Sequence, residues 1–503
     1  MAEYTTLAAV DLGSNSVHCQ IARVDGEQLY PLDALREAVQ IGAGLTHDKL
    51  LDDAAQTRAL ACLQRFGERL RSFAPSEVRA LGTNTLRVAK NTAAFLKKAE
   101  AALGFPIEVI AGREEARLIY LGVAHSLPAS DERRLVVDIG GGSTEVIVGA
   151  GYKPQRLDSL YMGCVSYSRQ FFGDGKLTKG AMKQAELAAR TELQHVVAGF
   201  ARRNWDHAVG SSGTARALAQ VLRACGFADG AITPEGLEKL RALLLKAGDL
   251  SNLQIEGLKP DRAMVLPGGF AIMSAVLEEL GIESMAVADG AMREGILHDL
   301  LGRTRHRDTR EATVHQFTQR YHVDQPQARR VGALAANLYD RFAQPNERAA
   351  QILAWAAKLH EIGISVAYGG YHRHSAYIIA NADMPGFTRD EQHRIAQLVL
   401  AHRRSLKKIQ PELDENIDWR MLFALRLAVL FCQRRSEINP RVLGAKAGDA
   451  RFKLELDPAW LQRNPLTLTA LREEIREWEK IGFEVKIGGL DEAGERTEMA
   501  LAS

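Results

Sequence analysis

Two short turns in the chain carry the same polar residues in the same order. The first reads Asp11-Leu-Gly13-Ser-Asn-Ser16 and the second Asp138-Ile-Gly140-Gly-Gly-Ser143, so both have the form DxGxxS. Glycine has no Cβ, which lets backbone N–H groups close on an anionic oxygen while serine and asparagine add donors. An aspartate beside phosphate needs a cation between them, and Mg²⁺ suits one or two carboxylates with phosphate oxygens. A single such turn is often an ordinary hairpin whose Asp bonds its own backbone, but two favour phosphate binding.

A pair of acidic residues lies between the two turns. The stretch Gly112-Arg-Glu114-Glu115-Ala-Arg117 follows a predicted strand and begins a predicted helix. A carboxylate in this position could take a proton from an attacking water. The alternative is that both acids only complement the helix dipole. The residue pattern does not decide between Glu114 and Glu115.

Other polar residues follow predicted strands. Arg87 ends the segment Gly82-Thr-Asn-Thr-Leu-Arg87 and could bind two phosphate oxygens with its planar guanidinium. Glu145 is the next carboxylate after the second turn, and Gly210-Ser-Ser-Gly213-Thr214 is a further small-residue loop. The alternatives are a surface arginine paired with an acid and a solvent-facing glutamate.

The elements that must position these residues alternate between strands and helices. Strand–turn–strand patterns are predicted at Thr5–Val24 and at Arg134–Gly149, each followed by helices and further short strands. This alternation predicts doubly wound α/β layers, and the repeated hairpin predicts two related lobes facing one site. From His315 to about Gly444 the pattern is almost wholly helical, and the tail is mixed α+β.

Composition limits the class of protein. The chain has 503 residues, 46% hydrophobic and 25% charged, with a net charge of +2. This predicts a globular protein of several domains without a general nucleic-acid-binding coat. Five scattered cysteines without a CxxC pair fit a reducing cytoplasm. No secretory signal or integral membrane segment is predicted; the apolar stretch Met421–Cys432 contains Arg426 and is interpreted as a buried helix.

Seven segments taken together resemble the exopolyphosphatase and guanosine pentaphosphate phosphatase family of the actin-like ATPase superfamily. They are DLGSNS, GTNTLR, GREEARL, DIGGGSTE, MGCVS, GSSGT and VADGAMREG, in that order. The resemblance implies two actin-like (ribonuclease H-like) α/β lobes at 1–122 and 123–302. It also implies an all-α, degenerate HD-like domain at 303–445 and a small α+β domain at 446–503. The basic stretch Arg303–Arg310 is by itself interpreted as a linker.

The resemblance also implies site roles. Glu115 is similar to the family's catalytic glutamate, and Asp138, Glu145 and Asp11 are the expected magnesium ligands. The expected phosphate-binding residues are Gly13, Ser14, Asn15, Ser16, Arg87, Gly140, Gly141, Gly142, Ser143, Thr144, Gly210, Ser211, Ser212 and Gly213.

The predicted activity is Mg²⁺-dependent release of terminal orthophosphate from inorganic polyphosphate. Basic residues such as those of 402–408 could line a channel for a polyanion, which places polyphosphate first. The closest alternative is guanosine pentaphosphate (pppGpp) 5′-phosphohydrolase. A sugar-kinase-like or chaperone-like ATPase and a non-catalytic polyphosphate or alarmone sensor are rivals of other classes. A homodimer is expected from the resemblance, and the sequence leaves a stimulating monovalent cation open.

In the helical region, His360-Glu361 stands where a working HD enzyme carries His-Asp. His322, His372, His374 and His402 are nearby candidates for metal ligands. The replacement of aspartate by glutamate favours a structural domain that has lost its own catalysis.

Overall fold

A computed structural model describes residues 5–26, 28–128, 130–304, 308–344, 346–436 and 440–490. The chain divides into two compact units, Met1–Thr309 and Arg310–Ser503. The predicted linker Arg303–Arg310 spans this division, and its residues 305–307 lie outside the described residues. No helix within these ranges is both long and apolar enough to span a membrane.

The first unit contains two sheets with the same topology. The strands are β1 (Thr6–Leu12), β2 (Val17–Asp25), β3 (Gln28–Glu37), β4 (Val78–Gly82), β5 (Ile107–Val109), β6 (Arg133–Ile139), β7 (Thr144–Ala150), β8 (Lys153–Leu160), β9 (His207–Ser211) and β10 (Met285–Val287). One sheet has the order β3-β2-β1-β4-β5 and the other β8-β7-β6-β9-β10. In each, the first three strands are antiparallel and the last two join in parallel. The internal repeat predicted from the two turns therefore extends over both sheets.

The helices of this unit are α1 (Asp53–Leu70), α2 (Asn84–Val88), α3 (Thr92–Leu103), α4 (Gly112–Ser126), α5 (Cys164–Phe172), α6 (Lys179–Leu193), α7 (Ser212–Ala224), α8 (Pro234–Ala247), α9 (Pro260–Ala263), α10 (Leu266–Leu280) and α11 (Met292–Thr304). Helices α1 and α3 share an apolar core with the first sheet, and α5–α8 and α10 share one with the second. Helices α4 and α11 form a third core with strands of both sheets. The helix that carries Glu115 is thus fixed between the lobes, and the predicted boundary at 122/123 falls inside it.

The second unit has one continuous core. Its helices are α12 (Thr309–Arg320), α13 (Gln325–Phe342), α14 (Glu347–Leu359), α15 (Tyr371–Asn381), α16 (Arg389–Ala401), α17 (Leu406–Ile409), α18 (Trp419–Phe431), α19 (Pro458–Gln462) and α20 (Pro465–Glu479), and its strands are β11 (Val442–Ala447), β12 (Arg451–Leu456) and β13 (Glu484–Gly488). Phe423 of α18 stacks on Phe452 of β12 with ring centroids 4.2 Å apart. The predicted helical and C-terminal domains therefore pack together. Residues 491–503 of the latter lie outside the described residues.

The buried-helix interpretation of Met421–Cys432 agrees with α18. Arg426 is buried there because its guanidinium binds the Glu474 carboxylate and the carbonyl oxygens of Ala401 and Arg404. A charge in an apolar helix is tolerated when it is paired and hydrogen-bonded in this way.

Candidate active site

The two DxGxxS turns lie against each other. A Cβ built on Gly141 would stand 3.0 Å from the Cβ of Ser14 and 3.2 Å from the amide nitrogen of Asn15. Behind the second turn, a Cβ on Gly163 would lie 2.4 Å from the carbonyl carbon of Gly141. A side chain at position 163 would therefore force the backbone apart, and one at position 141 would press on the first turn. The turns therefore form the two walls of one narrow cleft.

A cavity of about 130 Å³ opens between the turns. Both turns line it over residues 13–16 and 140–143, together with Ser212 and Gly213 of the third predicted loop. The acidic residues Asp11, Glu115, Asp138 and Glu145 line it as well. The structure thus brings most of the predicted site residues to one place.

Four predicted phosphate-binding residues are placed elsewhere. Thr144 is fully buried and its hydroxyl donates to the carbonyl oxygen of Met162 at 2.6 Å, and the buried Ser211 hydroxyl donates to that of Gly290 at 3.2 Å. Gly210 is an inner residue of β9. Arg87 donates through Nη1 to Glu115 Oε2 at 3.0 Å and to the carbonyl oxygen of Ile110 at 2.9 Å. Arg87 therefore forms an ion pair with Glu115, the candidate general base, and does not line the cavity.

The geometry separates Glu114 from Glu115. Glu114 accepts two hydrogen bonds of 2.8 Å from Arg117, one turn along α4. Glu115 lines the cavity. Neighbouring helical residues point about 100° apart, so only one of two adjacent acids can face the cleft.

Strand register pairs the carboxylates differently in the two lobes. Asp138 lies opposite Glu145 in the β6–β7 ladder, and the equivalent Asp11 lies opposite His18 in the β1–β2 ladder. His18 Nδ1 is 3.0 Å from Arg293 Nη1. The lobe of the second sheet (lobe II) therefore supplies two adjacent carboxylates. The lobe of the first sheet (lobe I) supplies one carboxylate beside a histidine and an arginine.

Burial raises the pKa values of the carboxylates in the cleft, and neighbouring carboxylates add to the rise for three of them. Burial, followed by the nearby charge of Glu115, raises the pKa of Asp11 to about 7, and burial raises that of Asp138 to about 6. Burial and then the charges of Glu115 and Asp138 raise the pKa of Glu145. Burial also raises the pKa of Glu115, and the Arg87 guanidinium opposes that rise. A bound cation would relieve this repulsion.

The donors fit a magnesium ion. Asp11 Oδ1 is buried without a hydrogen-bond partner among the described residues, and Asp138 and Glu145 are close in the same cavity. Within the described ranges, no group of three or more His, Cys, Asp or Glu side chains is gathered to hold an ion by itself. Mg²⁺ is usually bound by only one or two carboxylates, with waters and phosphate oxygens completing its shell.

A second, basic cavity of about 350 Å³ adjoins the acidic one. The two cavities share His18, Gly213, Arg216, Arg262 and Arg293, and the second adds Arg36 and Lys259. Burial, followed by the Arg293 charge, lowers the pKa of His18 to about 3, so it stays neutral. Four arginines and a lysine around one opening make a site for a polyanion.

No role was assigned to any of these cations from the sequence. Arg293 lies inside the quoted segment VADGAMREG but received no role, and Arg262 lies in the four-residue helix α9, outside every quoted segment. A basic residue three positions after Gly290 was the available signal for Arg293. For Arg262 the sequence offers none.

Comparison with known proteins identifies the family of this chain. Residues 20–304 match the Ppx/GppA phosphatase family, and residues 309–475 match domain III of that family. A protein of Vibrio cholerae named guanosine-5′-triphosphate,3′-diphosphate pyrophosphatase is 39% identical over 487 residues, covering 95% of this chain and 97% of that protein. Proteins of the same name from Vibrio vulnificus and Photobacterium profundum are each 38% identical, over 95% of this chain and 97% and 96% of theirs.

Solved structures share the fold over about 60% of this chain. An exopolyphosphatase-like protein has a TM-score of 0.54 at 23% identity, covering 60% of this chain and 99% of that one. An exopolyphosphatase from Cytophaga hutchinsonii has a TM-score of 0.53 at 23% identity, covering 59% and 97%. The predicted family and its actin-like lobes are confirmed, and the HD-like assignment of the helical region stays a prediction. With the family matched over most of its length, this chain belongs to the Ppx/GppA phosphatases.

Proposed function

We propose that this protein hydrolyses the terminal 5′ phosphate of guanosine pentaphosphate in a Mg²⁺-dependent reaction. The observation that carries the proposal is the joining of the carboxylate cavity to the basic one. A nucleotide that carries phosphate groups at two positions would place one group in the carboxylate cavity. The cations of the basic cavity would then bind the other group. The choice of nucleotide rests on the near full-length similarity to relatives that carry that name.

The chain's own residues would act as follows. The backbone amides and hydroxyls of the two turns hold the terminal phosphate, and Glu115 orients an attacking water and accepts its proton. The water oxygen bonds to the terminal phosphorus as the bond to the bridging oxygen breaks, which releases orthophosphate and guanosine tetraphosphate. Mg²⁺ held by Asp138, with Glu145 and Asp11, would offset phosphoryl charge. Positioning and electrostatics supply most of the acceleration in this chemistry.

Inorganic polyphosphate, placed first by the sequence, becomes the second candidate. The basic cavity would also suit a continuing phosphate chain, but the curated relatives favour the nucleotide. An ATPase would require recognition of adenine, and a non-catalytic sensor would not need the Glu115 geometry.

One assay separates these candidates. Phosphate release is measured from pppGpp, long-chain polyphosphate and ATP, each with and without Mg²⁺. We expect the highest kcat/KM for pppGpp and no turnover without Mg²⁺. A higher kcat/KM for polyphosphate would overturn the choice of substrate. Turnover of ATP, with none of pppGpp or polyphosphate, would overturn the proposal and indicate an ATPase.

The basic cavity is tested by substitution. Arg262→Ala should raise KM for pppGpp at least tenfold, because charge-assisted bonds to phosphate contribute about 1.5–3 kcal/mol. Arg190→Ala is the matched control: it removes an arginine of the same lobe that pairs with Glu278 outside both cavities. Equal effects of the two substitutions would exclude a specific role for the cavity.

A further inference from the structure

Asn84 is a buried amide in the wall of the carboxylate cavity. It lies two residues after the end of β4, in the segment whose Arg87 was expected to bind phosphate. It lines the cavity together with the two turns, and only 8% of it is exposed. A Cβ built on Gly142 would stand 2.7 Å from Asn84 Oδ1, so the amide lies directly against the second turn. A side chain of lobe I therefore reaches the phosphate turn of lobe II.

The amide nitrogen of Asn84 lacks a hydrogen-bond acceptor. Nδ2 is buried, and no atom in the part of the chain that the structure describes accepts from it. The nitrogen of an amide side chain can only donate. Buried polar groups are nearly always satisfied, so an unpaired donor in the wall of a binding cavity indicates a ligand that brings an acceptor.

The internal repeat shows why this donor is unpaired. In the β1–β4 and β6–β9 ladders, the aspartate of the turn lies opposite a residue three positions before Asn84 and Thr214, respectively. The hydroxyl of Thr214 donates to the carbonyl oxygen of Ile139 at 2.8 Å. The equivalent carbonyl oxygen in lobe I, that of Leu12, accepts from the Thr83 hydroxyl at 3.4 Å. Asn84 therefore does not make the internal contact that its counterpart makes.

Two further atoms of this cavity are buried and have no hydrogen-bond partner within the described ranges. They are Asp11 Oδ1 and Ser16 Oγ. The three atoms belong to a carboxylate, a hydroxyl and an amide. One phosphate group with its Mg²⁺ would satisfy all of them, because the cation binds the carboxylate while phosphate oxygens accept from the hydroxyl and the amide.

We propose, on the basis of the proposed hydrolysis of a terminal phosphate, that Asn84 donates through Nδ2 to a non-bridging oxygen of that phosphate. The amide thereby takes the place expected for Arg87, whose guanidinium is bound to Glu115. An amide carries no charge. It adds a donor without competing with Mg²⁺ for the carboxylates, as a cation at this position would.

Removal of this donor should separate activity from stability. In the free protein Nδ2 makes no hydrogen bond, so Asn84→Ala and the similarly branched Asn84→Leu should keep or raise the free energy of unfolding. The bond to a charged phosphate oxygen is lost, so kcat/KM for phosphate release should fall about 10- to 100-fold. Urea unfolding without Mg²⁺ and steady-state kinetics with Mg²⁺ measure the two effects.

Asn91→Ala is the matched control, with the opposite expectation. The Asn91 amide donates to the carbonyl oxygen of Leu51 at 3.0 Å and accepts from the N–H of Leu51 at 2.9 Å. Asn91 belongs to the same lobe and lines neither the carboxylate cavity nor the basic one. This substitution should lower the free energy of unfolding and leave kcat/KM unchanged.

The kinetics use both pppGpp and long-chain polyphosphate, because each ends in a phosphate group. If only polyphosphate is hydrolysed, a loss on that substrate supports the Asn84 contact although the choice of nucleotide fails. If neither is hydrolysed, the proposed function fails, and calorimetry tests the contact by itself. Inorganic tripolyphosphate with Mg²⁺ should then bind the Glu115→Gln protein at least about tenfold more tightly than the same protein with Asn84→Leu added.

Two results would overturn the proposal. Unchanged kcat/KM and unchanged tripolyphosphate binding would show that a water, and not the phosphate, satisfies the amide. A fall in the free energy of unfolding for Asn84→Leu as large as that for Asn91→Ala would show that the amide has a structural partner in the free protein.

Discussion

Among single residues, the equivalent aspartates of the two turns show how a repeat becomes asymmetric. Asp11 and Asp138 occupy the same place in matching sheets, but Asp138 faces Glu145 across its ladder and Asp11 faces His18. A carboxylate pair attracts a divalent cation more strongly than a carboxylate beside Arg293. We infer that the carboxylates of lobe II contribute most of the protein's binding to the Mg²⁺ ion.

Asp138→Asn should therefore raise the Mg²⁺ concentration needed for half-maximal activity and lower the maximal rate. Loss of one formal charge matters in a site with few protein ligands. A magnesium titration of phosphate release measures both effects, and Asp11→Asn is the control expected to change less. An unchanged titration for Asp138→Asn, or a larger effect of Asp11→Asn, would indicate that lobe I binds the ion instead.

Glu115→Gln should lower kcat by at least about 100-fold, since a general base typically contributes ~10²–10⁴-fold. KM should change little, because the substitution removes chemistry and leaves the phosphate turns intact. Steady-state kinetics with pppGpp provide the measurement. Glu114→Gln is the control; it faces Arg117 instead of the cavity. Retention of a tenth of the rate by Glu115→Gln would remove this residue from the role.

The raised carboxyl pKa values predict how the stability of the metal-free protein depends on pH. Asp11 and Asp138 have pKa values of about 7 and about 6 in the folded protein, against about 4 in unfolded chains. The folded state thus carries more protons between pH 4 and 7, so the free energy of unfolding falls as the pH rises through this range.

Urea unfolding of metal-free protein from pH 5 to pH 8 measures that fall. Mg²⁺ should restore more stability at pH 8 than at pH 5, because it binds the ionised carboxylates. Asp11→Asn removes one of the titrating groups and should flatten the dependence. A slope identical to that of the parent protein would show that Asp11 titrates normally.

At the scale of elements, helix α4 is held by a buried ion-pair network. Asp299 of α11 binds Arg117 of α4 at 2.5 Å and Arg79 of β4 at 2.6 Å, and all three side chains are buried. This network fixes the helix that carries Glu115 against a strand of lobe I and against α11, which also carries Arg293.

Asp299→Ala should lower the free energy of unfolding by about 3–5 kcal/mol, because it removes one partner from two buried guanidinium groups. Asp261→Ala is the matched control: Asp261 pairs with Arg36 at 3.0 Å, but both side chains are about 40% exposed. Exposed pairs contribute less than about 1 kcal/mol. Chemical denaturation followed by circular dichroism measures both, and similar losses would contradict the importance of burial.

For the whole molecule, the division at Thr309 and Arg310 separates the catalytic candidates from the helical unit. The predicted cut near Gly302 would fall inside α11, which ends at Thr304. The homodimer and the cytoplasmic location stay predictions, and a stimulating monovalent cation stays open.

A fragment of residues 1–309 should fold and hydrolyse pppGpp, because its cores and the complete cleft lie within it. If the second unit adds cationic contacts for a polyanion, the fragment should lose affinity for long polyphosphate more than for pppGpp and show a shallower salt dependence. Kinetics of both proteins over a salt series test this. Equal losses on both substrates with the same salt slope would leave residues 310–503 a purely stabilising role.

Local sequence patterns specify much of the secondary structure of this protein. The paired hairpins, the start of α4 and the helical region were predicted from the sequence and are present in the structure. Strand β3 was missed, and β11 begins inside the stretch expected to be helical. Turns, helix starts and amphipathic periods depend on residues a few positions apart, so their signals are present in the sequence itself. The two DxGxxS turns are local patterns of this kind, which is why the family could be recognised from the sequence.

Tertiary structure alone decided which side chains meet. It turned Glu115 into the cleft and Glu114 towards Arg117, placed Arg87 on Glu115, and brought Arg262 to a cavity shared with His18. It also buried His360, His372 and His402 together in the second unit. These contacts join residues that are far apart in the chain, and close packing of sheets and helices determines them. No local pattern specifies which distant side chain fills a given space.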